Sequence, residues 1–299
     1  MKNSTVILLP IIVDICSDAT SEVLNTGIDS HCLESITTKL VLAKDGFVFD
    51  TKDDFKNKVK WDEAILAKNL APLYDVYELQ SADEEATFFT SGSYKRQTKK
   101  AVKVLTCESY CSLYAHKVLK SYEDSSYNHV FEITENGEVI GVFNELGKIK
   151  GQDLTSFIVG IRTRPTPDKP PYSPITVTYR DYDELENNGY ITSVGFDPNT
   201  LDGVFSLVLM QTAIAAQQIQ FKALYAGGSK TYGGLLQANM KLTDDNNNNL
   251  AIDDMSYNAQ TGVYTLDSAA LADGYLSTNG VVTIGGLMFE SDVLAVDVP

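Results

Sequence analysis

Residues able to do chemistry are few and scattered in this 299-residue chain. A Ser-His-Asp or Cys-His site needs a histidine as base, and there are three: His31, His116 and His129. No Gly-x-Ser-x-Gly elbow accompanies them. Cys107, Cys111 and His116 have the spacing Cys-x3-Cys-x4-His. If residues 107–121 form a helix, Cys107 and Cys111 share a face, so two thiolates could approach a zinc ion. A structural zinc site takes four ligands, and only Cys16, His31 or Cys32 could complete this one. Packed, reduced thiols are the expectation, because free cysteine is among the most buried residue types. Four cysteines in a chain of this length do not make a disulfide scaffold.

Other candidate sites fail at diagnostic positions. Asp244-Asp245-Asn246-Asn247-Asn248-Asn249, followed by Asp253 and Asp254, suggests a calcium loop. With Asp245 in the first position, the bend position holds Leu250 rather than Gly and the last holds Ser256 rather than Glu. A solvated turn between strands is expected instead, since Asn and Asp tolerate left-handed backbone. Gly227-Gly228 and Gly233-Gly234 lack the Lys-Ser/Thr of a phosphate loop. Asp181, Asp183 and Glu184 are paired carboxylates of the kind acid–base hydrolysis uses, but the segment reads as a solvated acidic loop. The chain is expected to have no catalytic residue, bound metal or cofactor.

One basic cluster remains: Tyr94-Lys95-Arg96-Gln97-Thr98-Lys99-Lys100, continued by Lys103. Lys95, Arg96, Lys99 and Lys100 are the candidate binding residues. Basic side chains beside an aromatic could touch phosphates and stack on bases. They equally suit an acidic neighbouring subunit, such as the C-terminal part of another copy, or a solvated strand edge where lysine discourages strand addition. Net charge weighs against nucleic acid. It is −16, and residues 181–299 hold 3 Lys/Arg against 15 Asp/Glu. That half repels DNA and anionic membrane, so DNA contact is expected nowhere except near Lys95–Lys103.

The elements that must carry these residues read as mainly β with some α. The length suits one large domain or two ordinary ones. Val6 to Val13 reads as a buried strand rather than an export signal, and no apolar run reaches membrane-span length. Asp45-Gly46 between apolar runs signals a hairpin. Thr51, with Asp54 three residues on, caps a helix carrying Phe55, Val59, Leu66 and Leu70 on one face and stopped by Pro72. Val130–Thr134 and Val139–Phe143 form a hairpin across Glu135-Asn136-Gly137-Glu138. Leu154 to Arg164 reads as another strand. Pro165, Pro167, Pro170, Pro171 and Pro174 exclude a central strand and predict a stiff loop, or an arm reaching a neighbour.

A composition shift between 183 and 203 divides the chain into an N-terminal α+β domain, 1–190, and a C-terminal β-sandwich, 200–299. Residues 204–225 fit a helix or two strands, and alternation at Ile219, Phe221, Ala223 and Tyr225 favours strands. Short apolar runs at 235–242, 250–257, 263–266, 281–284 and 287–298 have sandwich spacing. Sixteen tyrosines suit either a β core or an interface-rich surface.

Leu242 to Asn247 and Tyr257-Asn258-Ala259-Gln260-Thr261-Gly262-Val263-Tyr264-Thr265-Leu266-Asp267 are similar to Ig-like β-sandwich domains of tailed-bacteriophage virion proteins. Residues 130–164, with the Asn136-Gly137 hairpin and the Lys148-Ile149-Lys150-Gly151 turn, resemble segments of tail-tube and other virion structural proteins. The resemblance implies a structural component of a phage particle (tail tube, head–tail or capsid accessory) that self-assembles with other copies and other virion proteins. Such a protein is made in the host cytoplasm, ends in the virion, and has no shared active site. The alternative is a carbohydrate- or surface-binding module using its tyrosines.

Overall fold

β-Branched and aromatic runs punctuated by Gly, Asn and Pro fold into a mainly β molecule. The computed structural model describes residues 35–298. The apolar run 6–13 lies outside them, as do Cys16, His31 and Cys32.

The chain begins with β1 (Thr37–Lys44), α1 (Lys52–Lys56), α2 (Lys58–Leu66), β2 (Leu70–Pro72) and β3 (Tyr77–Ser81). Next come β4 (Thr87–Ser91), β5 (Tyr94–Lys99), β6 (Val104–Tyr110), α3 (Leu113–Lys120), β7 (Tyr127–Thr134) and β8 (Glu138–Phe143). Then follow β9 (Ile149–Lys150), β10 (Gln152–Val159), β11 (Tyr172–Tyr179), α4 (Glu184–Asn188) and β12 (Gly189–Ser193). β1 pairs with β7 on one side and β2 on the other. Beyond β2 the chain stays on β1, its Leu73 and Val76 amides donating to the Leu40 and Thr38 carbonyls. It then crosses to pair with β6 as β3. β6 pairs with β11, β11 with β10, and β10 with β7. The order β1-β7-β10-β11-β6-β3 thus leads back to the segment that follows β2, and the sheet curls into a barrel closed there by the continuous chain rather than by a strand pair.

Leu40, Leu42, Leu105, Val130, Leu154 and Val177 fill the barrel, and Leu119 of α3 joins them. Glu132 shares the face of Val130. It accepts hydrogen bonds from the Thr37 hydroxyl (2.9 Å), the Gln152 side-chain amide (2.9 Å) and the Tyr179 hydroxyl (2.7 Å). Burial, then the neighbouring Glu132, holds the Tyr179 phenol well above its usual pKa. The other face of β1 and β7 packs under α1 and α2. There the rings of Phe49, Phe55, Trp61 and Phe131 lie 4.8–5.9 Å apart.

The second part holds β13 (Phe205–Ala215), β14 (Gln218–Tyr225), β15 (Met240–Asp244), β16 (Asn249–Leu250), β17 (Asp254–Asn258) and β18 (Val263–Asp267). It ends with β19 (Gly274–Thr278), β20 (Val282–Ile284), β21 (Leu287–Ser291) and β22 (Leu294–Val296). One sheet runs β17-β18-β14-β13-β21-β20 and the other β16-β15-β19-β22. β13 and β21 are parallel. Phe221, Leu242, Tyr264 and Leu276 are buried in the core of this part.

Four expectations are corrected. The Asp45-Gly46 turn forms, with Gly46 at φ +76°, but no hairpin follows, because β7 and β2 occupy both edges of β1 and Phe49 bridges to Ile149. Thr51 does accept from the Asp54 amide, yet the helix breaks at Asn57, which caps α2. Its buried face is Phe55, Trp61, Ala64 and Ile65, while Val59 and Leu66 are exposed and Leu70 is in β2. Residues 104–110 are strand, so Cys107 is not helical. Pro174 sits inside β11. Its carbonyl accepts from Gly160, just past the end of β10, so its missing N–H points to the side where that ladder has stopped.

The two parts touch. Met288 enters the aromatic cluster, Lys68 pairs with Glu290 at 3.2 Å, and Gly227 lies against Tyr114. Gly227 has φ +76°, and a Cβ there would be 2.3 Å from the Tyr114 ring. Gly227→Val is expected to cost about 3 kcal/mol in urea denaturation. Adding Tyr114→Ala takes away the ring but keeps a Cβ 2.4 Å from the new one, so only part of that loss is expected to be recovered.

Candidate interaction surface

The basic cluster lies on a two-stranded hairpin that no sequence pattern singled out as a unit. Among the described residues β4 and β5 pair only with each other. Ser91 and Tyr94 close the turn, and Gly92, at φ +61°, takes the first central position, as a type II′ turn requires. A Glu84–Val102 bridge roots the arm beside the start of β6. Every residue of both strands is exposed.

Register divides the side chains between two faces. Phe88 pairs with Gln97 and Thr90 with Lys95. Phe89 pairs with Arg96, and Ser91 with Tyr94. Phe88, Phe89 and Tyr94 are 49%, 56% and 56% exposed. Aromatic surface therefore stands in water on both faces. Lys95 Nζ is 4.3 Å from the Phe88 ring centroid, a cation–π contact. Lys99 pairs with Glu84 at the root. Lys103 lies off the arm, its ammonium over the Tyr179 ring at 5.0 Å. The missed signal was Thr87-Phe88-Phe89-Thr90, a β-forming run opposite the basic segment across Ser91-Gly92-Ser93.

Of the Cys-x3-Cys-x4-His residues, Cys111 and His116 are brought together on Ser173, and Cys107 lies apart from them. Cys107 points into the barrel cluster, where burial first, then Glu132 and Glu108, pushes its thiol up to about 12. Cys111 contacts the buried Ser173 hydroxyl at 3.1 Å, and His116 Nδ1 meets the same hydroxyl at 2.8 Å. Among the described residues no group of three or more His, Cys, Asp or Glu is arranged to hold a metal. Asp244 accepts from the Asn246 and Asn248 amides, and Asn247 is left-handed at φ +62°. The prolines of 165–171 lie on an exposed loop beyond β10, pinned by the Thr163 amide donating to Tyr172.

Glu184 is engaged by Lys150 (2.9 Å) and by the Asp153 amide (2.8 Å). Asp153 also pairs with Lys150, His129 (2.8 Å) and Arg180 (3.4 Å). Burial opposes its charge, but the hydrogen bond and charge of Lys150, with smaller contributions from His129 and Arg180, outweigh it and hold the carboxyl below its usual 3.8. A lowered native value stabilises the fold above the unfolded pKa, and the contribution is lost as pH falls through the native one. Asp153→Asn is therefore expected to cost about 1.5 kcal/mol at pH 7, with the gap to the parent shrinking below about pH 4 in urea titrations.

A cleft of about 590 Å³ separates the barrel from the sandwich, with Tyr74, Tyr77, Tyr110, Tyr122 and Tyr127 on its walls. Buried Lys39 lies at its edge, donating to the Asn199 and Leu201 carbonyls at 2.8 Å, with Asp75 and Asp202 each 3.8 Å away. Among the described residues no helix is long and apolar enough to cross a membrane.

Neither a protein-family model nor a curated protein matches the chain. Among solved structures, 57% of it aligns with 93% of a chain from the crystal structure of mouse coronavirus receptor-binding domain complexed with its murine receptor. The identity is 11% and the TM-score 0.22, a likeness that carries no argument about fold or function.

Proposed function

We propose that this chain is a structural component of a tailed-bacteriophage particle, of tail-tube, head–tail or capsid-accessory type, and that it acts by self-assembly rather than catalysis. The observation that carries the reading is the β4–β5 arm. An isolated two-stranded hairpin is marginal in water, and this one leaves three aromatic rings uncovered. A neighbouring subunit that covers them supplies what the described residues do not. The C-terminal sandwich is read as Ig-like. The strand order β17-β18-β14-β13 against β16-β15-β19-β22, with β13 parallel to β21, supports that. The acidic remainder suits a particle protein that passes DNA without holding it.

Light scattering across a concentration series, with negative-stain images of the same samples, tests the reading. Rings, tubes or a fixed oligomer are expected. A monomer at every concentration contradicts it. The tyrosine-walled cleft favours a second reading, a carbohydrate-binding module in which rings stack on sugar faces. Binding on a glycan array that Tyr77→Ala abolishes would support that instead.

A further inference from the structure

Resting on the assembly reading, we propose that the β4–β5 arm of one copy docks on the acidic edge of a second copy's C-terminal sandwich. Phe89 and Tyr94, which share one face of the arm, enter a groove there, and Lys95 and Arg96 face Asp245 and Asp254.

Charge complementarity is the first argument. From Ala86 to Cys107 the chain has five Lys/Arg and no Asp or Glu. From Leu242 to the last residue it has nine Asp/Glu and no Lys or Arg. Among the described residues no ion pair joins the two segments, and of the arm's cations Lys99 alone is paired, with Glu84. Opposite charges held apart in one copy attract between copies.

Shape is the second argument. β17 ends the six-stranded sheet, and β16 ends the four-stranded one. Beside them lies an open groove of about 770 Å³ whose apolar lining includes Leu236, Leu250, Ile252 and Met255. Asp253 and Asp254 fall between the last two in the chain. Asp244 and Asp245 begin the turn that leads into β16. The one charged side chain on the groove wall is Lys241, so the rings take the groove and the basic side chains take the acidic turns next to it, at Asp245 before β16 and Asp254 at the start of β17. From Glu84 to Ser91 the arm spans about 23 Å at strand rise, enough to lay several residues along the edge. β17 also offers backbone groups on its unpaired side, so strand addition can join the contact. DNA is the competing partner for the same lysines, and it is disfavoured by the acidic rest of the chain.

The test is charge exchange in the full chain, read by light scattering, with circular dichroism to show that each variant is folded. Lys95→Glu/Arg96→Glu is expected to weaken self-association about tenfold or more, and Asp245→Lys/Asp254→Lys likewise. Combining the two sets in one chain restores association. An arm variant that associates as strongly as the parent overturns this docking site while leaving assembly intact. So does a combined variant without recovery. A parent chain that never associates overturns the assembly reading itself. Binding of a short DNA duplex by the parent, lost in the arm variant while association persists, reassigns the arm to DNA.

Discussion

Replacing residues 86–101 with a short glycine-containing turn is expected to weaken self-association by two to three powers of ten while leaving the urea unfolding midpoint unchanged. Neither strand of the arm is buried against the barrel or the sandwich, so its removal takes nothing from either core. Covering the exposed half of Phe89 and Tyr94 in a neighbour contributes roughly 1 kcal/mol each, and the basic side chains add to that. A total of about 3–4 kcal/mol corresponds to that change in affinity. Sedimentation velocity gives the association, and urea denaturation gives the stability. A shortened chain that assembles as before, or one that loses several kcal/mol of stability, removes the arm from the account.

Glu132→Ala is expected to lower stability by about 4 kcal/mol, with no direct effect on the arm. The substitution leaves the Thr37 and Tyr179 hydroxyls and the Gln152 amide without their shared acceptor inside the barrel. Each unsatisfied buried donor costs about 1–3 kcal/mol, and partial rearrangement recovers some of it. Glu132→Gln keeps one acceptor oxygen and turns an amide toward a former donor, so about 1–2 kcal/mol is lost. Urea denaturation of the three proteins orders them. Equal losses for Ala and Gln would mean that the network contributes through its shape alone.

What could be read from the sequence was what neighbouring residues decide together. The Thr51 cap, the Asn136-Gly137 turn and the Asn-rich 244–249 turn are local hydrogen-bonding choices and sit where the pattern puts them. β13 and β14 follow the alternation at 219–225. Pairing over long separations was not legible. Asp45-Gly46 signals a hairpin, but β1 is claimed by strands about 30 and 90 residues away. β19 is central to its sheet yet escaped notice, because Gly274-Tyr275-Leu276-Ser277-Thr278 holds one aliphatic side chain. The helix phase failed because Trp61, inside the charged-looking Lys58–Glu63, is fully buried by the aromatic cluster. For the candidate surface, the basic residues stood out by charge. Their aromatic partners did not, since Phe88 and Phe89 look like core residues until the barrel is seen to close without them.

The central claim is that the β4–β5 arm is covered by another copy, and amide hydrogen exchange on the full chain at low and high concentration tests it most directly. The account predicts fast exchange over residues 86–101 in dilute samples, where a two-stranded hairpin stands alone, and strong protection there once the protein assembles. Protection that rises elsewhere on assembly, with 86–101 exchanging equally fast in both samples, would contradict it.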